Sequence, residues 1–163
     1  MNSKLAGFII LVTVAVVFGA GCLDNDAQTT ASAIPVTATW IEPQVIDNTV
    51  TIPVQTINKS INTHFKVTTP AGEIAVMAYM LGDDIIVRSN VCPPCGSIGF
   101  SLDRDILVCD ACRTTFDAET GQGIQGACVD YPKESIPYTV SGGNVVMEMD
   151  DIVIAHTNTV QRG

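Results

Sequence analysis

Four cysteines, Cys92, Cys95, Cys109 and Cys112, form two C-x2-C pairs separated by thirteen residues. No other feature constrains the fold as much. Two residues between cysteines let one tight turn aim two thiolates at a single point. Two such turns facing each other complete a tetrahedral sulfur shell. Pro93, Pro94 and Gly96 stiffen the first turn, and Ala111 leaves the second uncrowded. Between them, Ser97 to Val108 reads as a hairpin, with Ile98 and Phe100 before a turn at Asp103-Arg104-Asp105 and Ile106-Leu107-Val108 after it. A hairpin sets the two knuckles side by side.

The alternative use of these cysteines is disulfides, which an oxidising compartment favours. C-x2-C pairs close into strained, reducible bridges, so the spacing points to a metal. A four-thiolate shell suits zinc, mononuclear iron or a 2Fe–2S cluster. The run Cys92-Pro93-Pro94-Cys95-Gly96 resembles the first knuckle of a zinc ribbon, and on spacing alone zinc leads. A fifth cysteine, Cys128, follows Cys112 by sixteen residues on a glycine-flanked turn. It reads as a metal-proximal thiol, a replacement ligand or a plain buried cysteine.

Outside this region the signals are for strands: Val36 to Ile41, Thr49 to Val54, His64 to Thr68, Glu73 to Leu81, Asp84 to Arg88, Tyr138 to Val140, Val145 to Met149 and Ile152 to Ala155. Pro70-Ala71-Gly72, Gly82-Asp83 and Ser141-Gly142-Gly143-Asn144 punctuate them as turns. No long window after Cys22 carries a capped helical period, so the expected class is all-β, an antiparallel sandwich or barrel with a metal-binding subdomain of two knuckles over 90–132.

Leu107 to Pro132 (LVCDACRTTFDAETGQGIQGACVDYP) resembles the second cluster-binding loop of Rieske proteins, with Phe116, Asp117, Thr120, Gly121 and Gly126 matching its run. Both histidine positions of that motif are cysteine or absent here. A wider stretch, 48–155, resembles the FtrD-like membrane iron–sulfur domain family. Gly99-Phe100, Ile106-Leu107-Val108-Cys109 and Phe116 fit it, and Gly126-Ala127-Cys128 stands where that family has Gly-Gly-Cys. Ala127 for glycine, and Asp130-Tyr131 ahead of Pro132, depart from the pattern. The resemblance implies a Rieske-like β domain and an extracytoplasmic electron-transfer or iron-handling role beside metal-transport components. The cofactor it implies is an iron–sulfur cluster, a 2Fe–2S centre held by Cys92, Cys95, Cys109 and Cys112. Backbone N–H groups near Gly96, Arg113 and Thr114 would tune it. The rival from another class is a redox-silent zinc-ribbon binding module. An electron carrier, with a redox partner the sequence does not name, is expected rather than an enzyme, since no nucleophile elbow, phosphate loop or paired carboxylates stand out.

Other candidates read as ordinary structure. His64 and His156 lie far from the knuckles in sequence. Met77, Met80, Met147 and Met149 suit core packing better than a copper–thioether site. Arg113 reads as exposed, and Asn58-Lys59-Ser60 is a triplet that arises by chance.

The N-terminus reads as a targeting segment. Lys4 precedes an apolar run from Leu5 to Phe18, and Gly19, Ala20 and Gly21 lead directly into Cys22. The expected organisation is a signal peptide over 1–21, a lipidated Cys22 and polar tether over 22–34, and a folded domain over 35–163. An uncleaved N-terminal anchor and plain secretion are the alternatives. All three place the domain outside the cytoplasm, and the lipidated form expected here sits on the outer face of the cytoplasmic membrane. The formal net charge of −9 repels nucleic acid and anionic headgroups, so no nucleic-acid partner is expected and the domain should stand off the bilayer. Cys22→Ser should therefore abolish lipid labelling and release or stall the protein. Labelling with radioactive lipid precursor checks this, and a wild type that carries no lipid yet stays in the membrane would instead mean an uncleaved anchor.

Overall fold

The computed structural model describes residues 34–161. The expected signal segment, Cys22 and nearly all of the tether lie outside the described residues.

Three four-stranded sheets build the domain. The first contains β1 (Thr39–Ile41), β4 (Asn62–Thr69), β5 (Gly72–Leu81) and β6 (Asp84–Ser89) in the order β1-β4-β5-β6. β1 runs parallel to β4 and the other pairs are antiparallel. The second contains β2 (Gln44–Ile46), β3 (Thr49–Pro53), β11 (Thr139–Ser141) and β12 (Asn144–Glu148) in the order β11-β12-β3-β2. The third carries the cysteines: β7 (Phe100–Asp103), β8 (Ile106–Cys109), β9 (Thr115–Asp117) and β10 (Gly123–Gln125) form a meander. Among the described residues there are two helices, α1 (Val54–Ser60) and α2 (Met149–Gln161).

The period of two along β5 explains how these parts meet. Its run Ile74-Ala75-Val76-Met77-Ala78-Tyr79 is buried throughout, the mark of a strand covered on both faces. Ile74, Val76 and Ala78 enter a core with Phe65, Val67 and Val87, with Val50, Ile52, Val145 and Met147 of the second sheet, and with Ile152 and Ala155 of α2. Met77 and Tyr79 enter a separate core with Phe100, Leu102, Leu107, Phe116 and Ala118, in which Cys92, Cys109 and Cys128 are embedded. The metal-binding subdomain therefore sits on one face of a strand whose other face belongs to the main core.

The domain is mostly β, as expected, and the hairpin read over 97–108 is present as β7 and β8, with Arg104 in the left-handed region at φ 57°. One expected strand is corrected: Ile152 to Ala155 lies within helix α2. Its β-branched residues argue for strand, but Ile152, Ala155 and Thr159 fall on one helical stripe that is buried, and Asp150 and Asp151 stand in the first turn where the helix dipole favours them. Asn58-Lys59-Ser60 lies within α1.

His64 is fully buried on β4, edge-on to Trp40 at 5.2 Å between ring centroids, and its Nδ1 accepts from Asn90 Nδ2 at 3.0 Å. Burial holds its pKa down at about 4, against a smaller opposing effect of the Ile98 backbone. The unfolded chain thus takes up a proton between pH 6.5 and about 4 that the fold does not. Stability from this residue is present above pH 6.5 and falls by about 1.4 kcal/mol per pH unit through that window. Urea denaturation at pH 6.5 and 4.5 should show His64→Gln losing less stability than wild type between the two, and equal losses would contradict the assignment.

Candidate metal centre

The two knuckles repeat one backbone pattern. In the first, Gly96 N–H donates to Cys92 O at 2.8 Å and Cys92 N–H to Ser97 O at 2.8 Å. In the second, Arg113 N–H donates to Cys109 O at 3.0 Å and Cys109 N–H to Thr114 O at 2.9 Å. The residue after the second cysteine must turn left-handed, and Gly96 and Arg113 do so at φ 71° and 61°. Glycine meets that demand without cost. Arginine does not, and Arg113 is held there, exposed, by the turn it closes.

Five thiols converge. Cys92 Sγ lies 3.9 Å from Cys112 Sγ, Cys95 Sγ 3.8 Å from Cys109 Sγ, and Cys112 Sγ 3.7 Å from Cys128 Sγ. The sulfur atoms of Cys92, Cys95, Cys112 and Cys128 all lie within 4.8 Å of one another. None of the five forms a disulfide. Corners of a tetrahedral shell with metal–sulfur bonds of about 2.3 Å are about 3.8 Å apart, so the donor set fits a thiophilic metal centre. The structure thus gathers all four sequence-predicted ligands and Cys128. Cys109 stands outside the mutually close four and touches it through Cys95. Neither His64 nor His156 joins this group, which holds only cysteines.

Burial is uneven. Cys92, Cys109 and Cys128 are buried, Cys112 is half-buried and Cys95 is exposed, so the second cysteine of each knuckle forms the outward edge. The thiols are also electrically distinct. Burial pushes the Cys92 thiol far up, with Cys95 and Cys128 adding to the effect. Burial raises Cys109 as well, opposed by N–H groups of Cys112 and Ala111 and by the Ser97 side chain. Cys112 is the reverse: burial would raise it, but the Thr114 hydroxyl and backbone N–H together bring it to about 6. It is the thiol best prepared to bind as a thiolate.

Thr114 is a junction that sequence reading named only for its backbone. Fully buried, its Oγ1 lies 3.2 Å from Cys112 Sγ and accepts the Cys128 N–H at 3.2 Å. It therefore ties the Cys128 turn to the second knuckle. The approach is close enough that a Cβ on Gly126, whose φ is +121°, would stand 2.6 Å from Thr114 Oγ1 and 2.7 Å from its Cα.

Two further residues escaped sequence reading because each looks like an ordinary basic side chain, Arg88 near the end of a strand and Lys133 in a connecting segment. Arg88 lies opposite Met77 and reaches across the second core. Its guanidinium donates to the carbonyls of Ala118 at 3.4 Å, Lys133 at 2.8 Å and Glu119. Tyr79 OH joins it on Ala118 O at 2.6 Å. Charge-assisted bonds of this kind contribute about 1.5–3 kcal/mol each, enough to clamp both chain segments that flank the Cys128 turn. Lys133, fully buried, sits behind the thiols with its Nζ 2.6 Å from Val91 O. Burial lowers its pKa to about 8, and thiolates at Cys92, Cys109, Cys128 and Cys95 would oppose that drop.

A β domain that gathers five free thiols around one point is a protein built to hold a thiophilic metal. The chain belongs to the family of membrane iron-sulfur containing FtrD-like proteins, whose model matches residues 57–158. Among solved structures, it is similar to a ferredoxin of Sphingomonas yanoikuyae B1 at 24% identity and a TM-score of 0.42, over 45% of this chain and 74% of that one. It is also similar to the ferredoxin of carbazole 1,9a-dioxygenase from Nocardioides aromaticivorans IC177 at 18% identity and a TM-score of 0.45, over 66% of this chain and 98% of that one. A chain from a complex of reduced oxygenase and oxidized ferredoxin in carbazole 1,9a-dioxygenase matches at 20% identity and a TM-score of 0.45, over 53% and 81%. No curated protein matches. Among the described residues, no helix is long and apolar enough to cross a membrane.

Gly126→Ala should cost about 1–3 kcal/mol, because it adds a clash with Thr114 to an unfavourable φ. Gly142→Ala, at φ +57° with open space around it, carries the conformational part alone. Metal release to a chelator should be faster for Gly126→Ala and unchanged for Gly142→Ala. Equal rates in the two variants would show that the Thr114 contact does not hold the site together.

Proposed function

We propose that this protein is an extracytoplasmic electron carrier, anchored by lipid on Cys22, that uses a 2Fe–2S cluster held by Cys92, Cys95, Cys109 and Cys112. The observation that carries the reading is the convergence of these thiols, free and partly exposed, in a member of an iron–sulfur family. Such a cluster supplies one-electron storage. The chain's own residues do the rest. Cys95 and Cys112 offer the outward edge where a redox partner could approach, and Cys92 and Cys109 root the centre in the second core. N–H groups of Ala111, Cys112 and Thr114 donate to thiolate sulfur, which disperses negative charge and favours the reduced state. Cys128 lies within reach of Cys112 and would shield the centre or tune it through its S–H. A link to iron or other metal transport belongs to the same reading and draws on the family resemblance alone.

The compactness of the sulfur atoms favours a second reading, a single zinc ion in a redox-silent module, since four of them already lie within 4.8 Å of one another. Colour separates the two. The full chain, purified anaerobically in detergent, should absorb visible light and give an EPR signal on reduction. Colourless protein with stoichiometric zinc would favour the module. Cys109→Ser should strip most of the metal, whereas Cys128→Ala should keep wild-type stoichiometry with an altered potential or lifetime in air. Loss of metal in Cys128→Ala with retention in Cys109→Ser would exchange their roles.

A further inference from the structure

Among the described residues, Lys133 is the one lysine whose side chain the fold takes wholly out of solvent beside the thiols. Its backbone is fixed on both sides: its N–H donates to Gly121 O at 2.8 Å, and its carbonyl accepts from Arg88 at 2.8 Å. The side chain then runs inward. Its Nζ stands 4.4 Å from the Phe116 ring centroid and 5.3 Å from that of Phe100, two rings packed edge-to-face at 5.9 Å. The ammonium donates to Val91 O at 2.6 Å, the carbonyl directly before Cys92.

A buried ammonium costs several kcal/mol unless opposite charge compensates it. Ring faces and one carbonyl compensate only in part. The ion pairs seen among the described residues, Lys66–Glu73 and Arg104–Asp103, lie elsewhere. The groups whose charge would act on Lys133 once they are thiolates are Cys92, Cys109, Cys128 and Cys95, in that order. The carbon stem rests in the aromatic part of the second core, while the charged end points toward the first knuckle. A methionine would fill the same space without the charge, so packing alone does not explain a lysine here.

We propose that Lys133 is the built-in counter-cation of the metal–thiolate centre, and that its charge favours the more negative, reduced state. This rests on the electron-carrier reading for its redox consequence, and on the thiols alone for its electrostatic one. Reduction adds one negative charge to the centre. A fixed positive charge behind it stabilises that added charge through low-dielectric protein, and removing it lowers the potential. The same ammonium lacks its counter-charge once the metal is gone, so it should destabilise the metal-free fold.

The test uses the full chain in detergent at pH 6.5, as wild type, Lys133→Met and Lys133→Arg. Visible and EPR spectra first establish whether the loaded centre is iron. If it is, dithionite titration with mediators reads the potential. At the wild-type midpoint, Lys133→Met should raise the ratio of oxidised to reduced centre about tenfold, or about 59 mV for one electron, while Lys133→Arg stays within about twofold. After metal removal under reducing conditions, Lys133→Met should melt at or above the wild-type temperature. A packing residue would give the opposite pattern, an unchanged potential and a lower melting temperature in both forms, and that overturns the proposal. If Lys133→Met does not load, Lys133→Gln is read against the same expectations. If the centre is zinc, the electron-carrier reading fails and the counter-cation is judged separately. Lys133→Met must then release zinc to a chelator about tenfold faster than wild type, with a metal-free fold no less stable, and equal release overturns it.

Discussion

Everything in this domain that concerns the thiols depends on β5 being buried on both sides. A strand that packs Ile74, Val76 and Ala78 into one core and Met77 and Tyr79 into another gives the cysteine loops a rigid wall to stand on. The loops have little apolar sequence of their own to spend on folding. They borrow a core from the far side of a sheet that the rest of the chain has already stabilised. Arg88, one strand over and on the Met77 face, extends this by taking three carbonyls from the two segments that frame the Cys128 turn. A buried guanidinium bound chiefly to carbonyls would be a poor way to gain stability, but it is a specific way to fix where those segments lie.

The knuckles are legible because a short covalent spacing carries most of their geometry. C-x2-C fixes two sulfur atoms on one turn, and the residue after it must go left-handed, so Gly96 announces its role. Arg113 hides the same role behind a side chain that reads as a surface charge. The β7–β8 hairpin is equally plain, since alternating residues and a polar tip are local properties. What joins these pieces is not local. Thr114 and Gly126 are twelve residues apart and meet through an approach too close for a side chain. The importance of Arg88 and Lys133 depends in part on carbonyls thirty or more residues away, those of Glu119 and Val91. Nothing in their sequence surroundings distinguishes them from solvated basic residues.

Helix α2 shows the same limit from the other direction. Ile152, Val153 and Ile154 are consecutive and β-branched or nearly so, and local propensity favours a strand. The tertiary structure offers those residues the open side of the first core, where a helix can bury Ile152, Ala155 and Thr159 together. A strand there would have put Ile152 on the opposite face from Ala155 and Thr159. Burial of a stripe outweighs a propensity difference of a few tenths of a kcal/mol per residue.

The arrangement of charge gives the centre a direction. Its outward edge carries Cys95 and Cys112, the thiol whose thiolate form is most favoured, stabilised by a hydroxyl and an N–H of Thr114. Its inward side carries the thiols that burial disfavours as anions, Cys92 and Cys109, and behind them the buried ammonium of Lys133. Neutral dipoles serve both sides, at Cys109 as well as Cys112, and a full charge is added only on the side that water cannot reach. This division is what an acidic domain requires if it is to hold a strongly anionic centre. The chain's formal net charge of −9 acts against any further negative charge, but solvent and salt screen that repulsion over about 10 Å. A single cation inside the low-dielectric core is screened far less and can outweigh many carboxylates outside it.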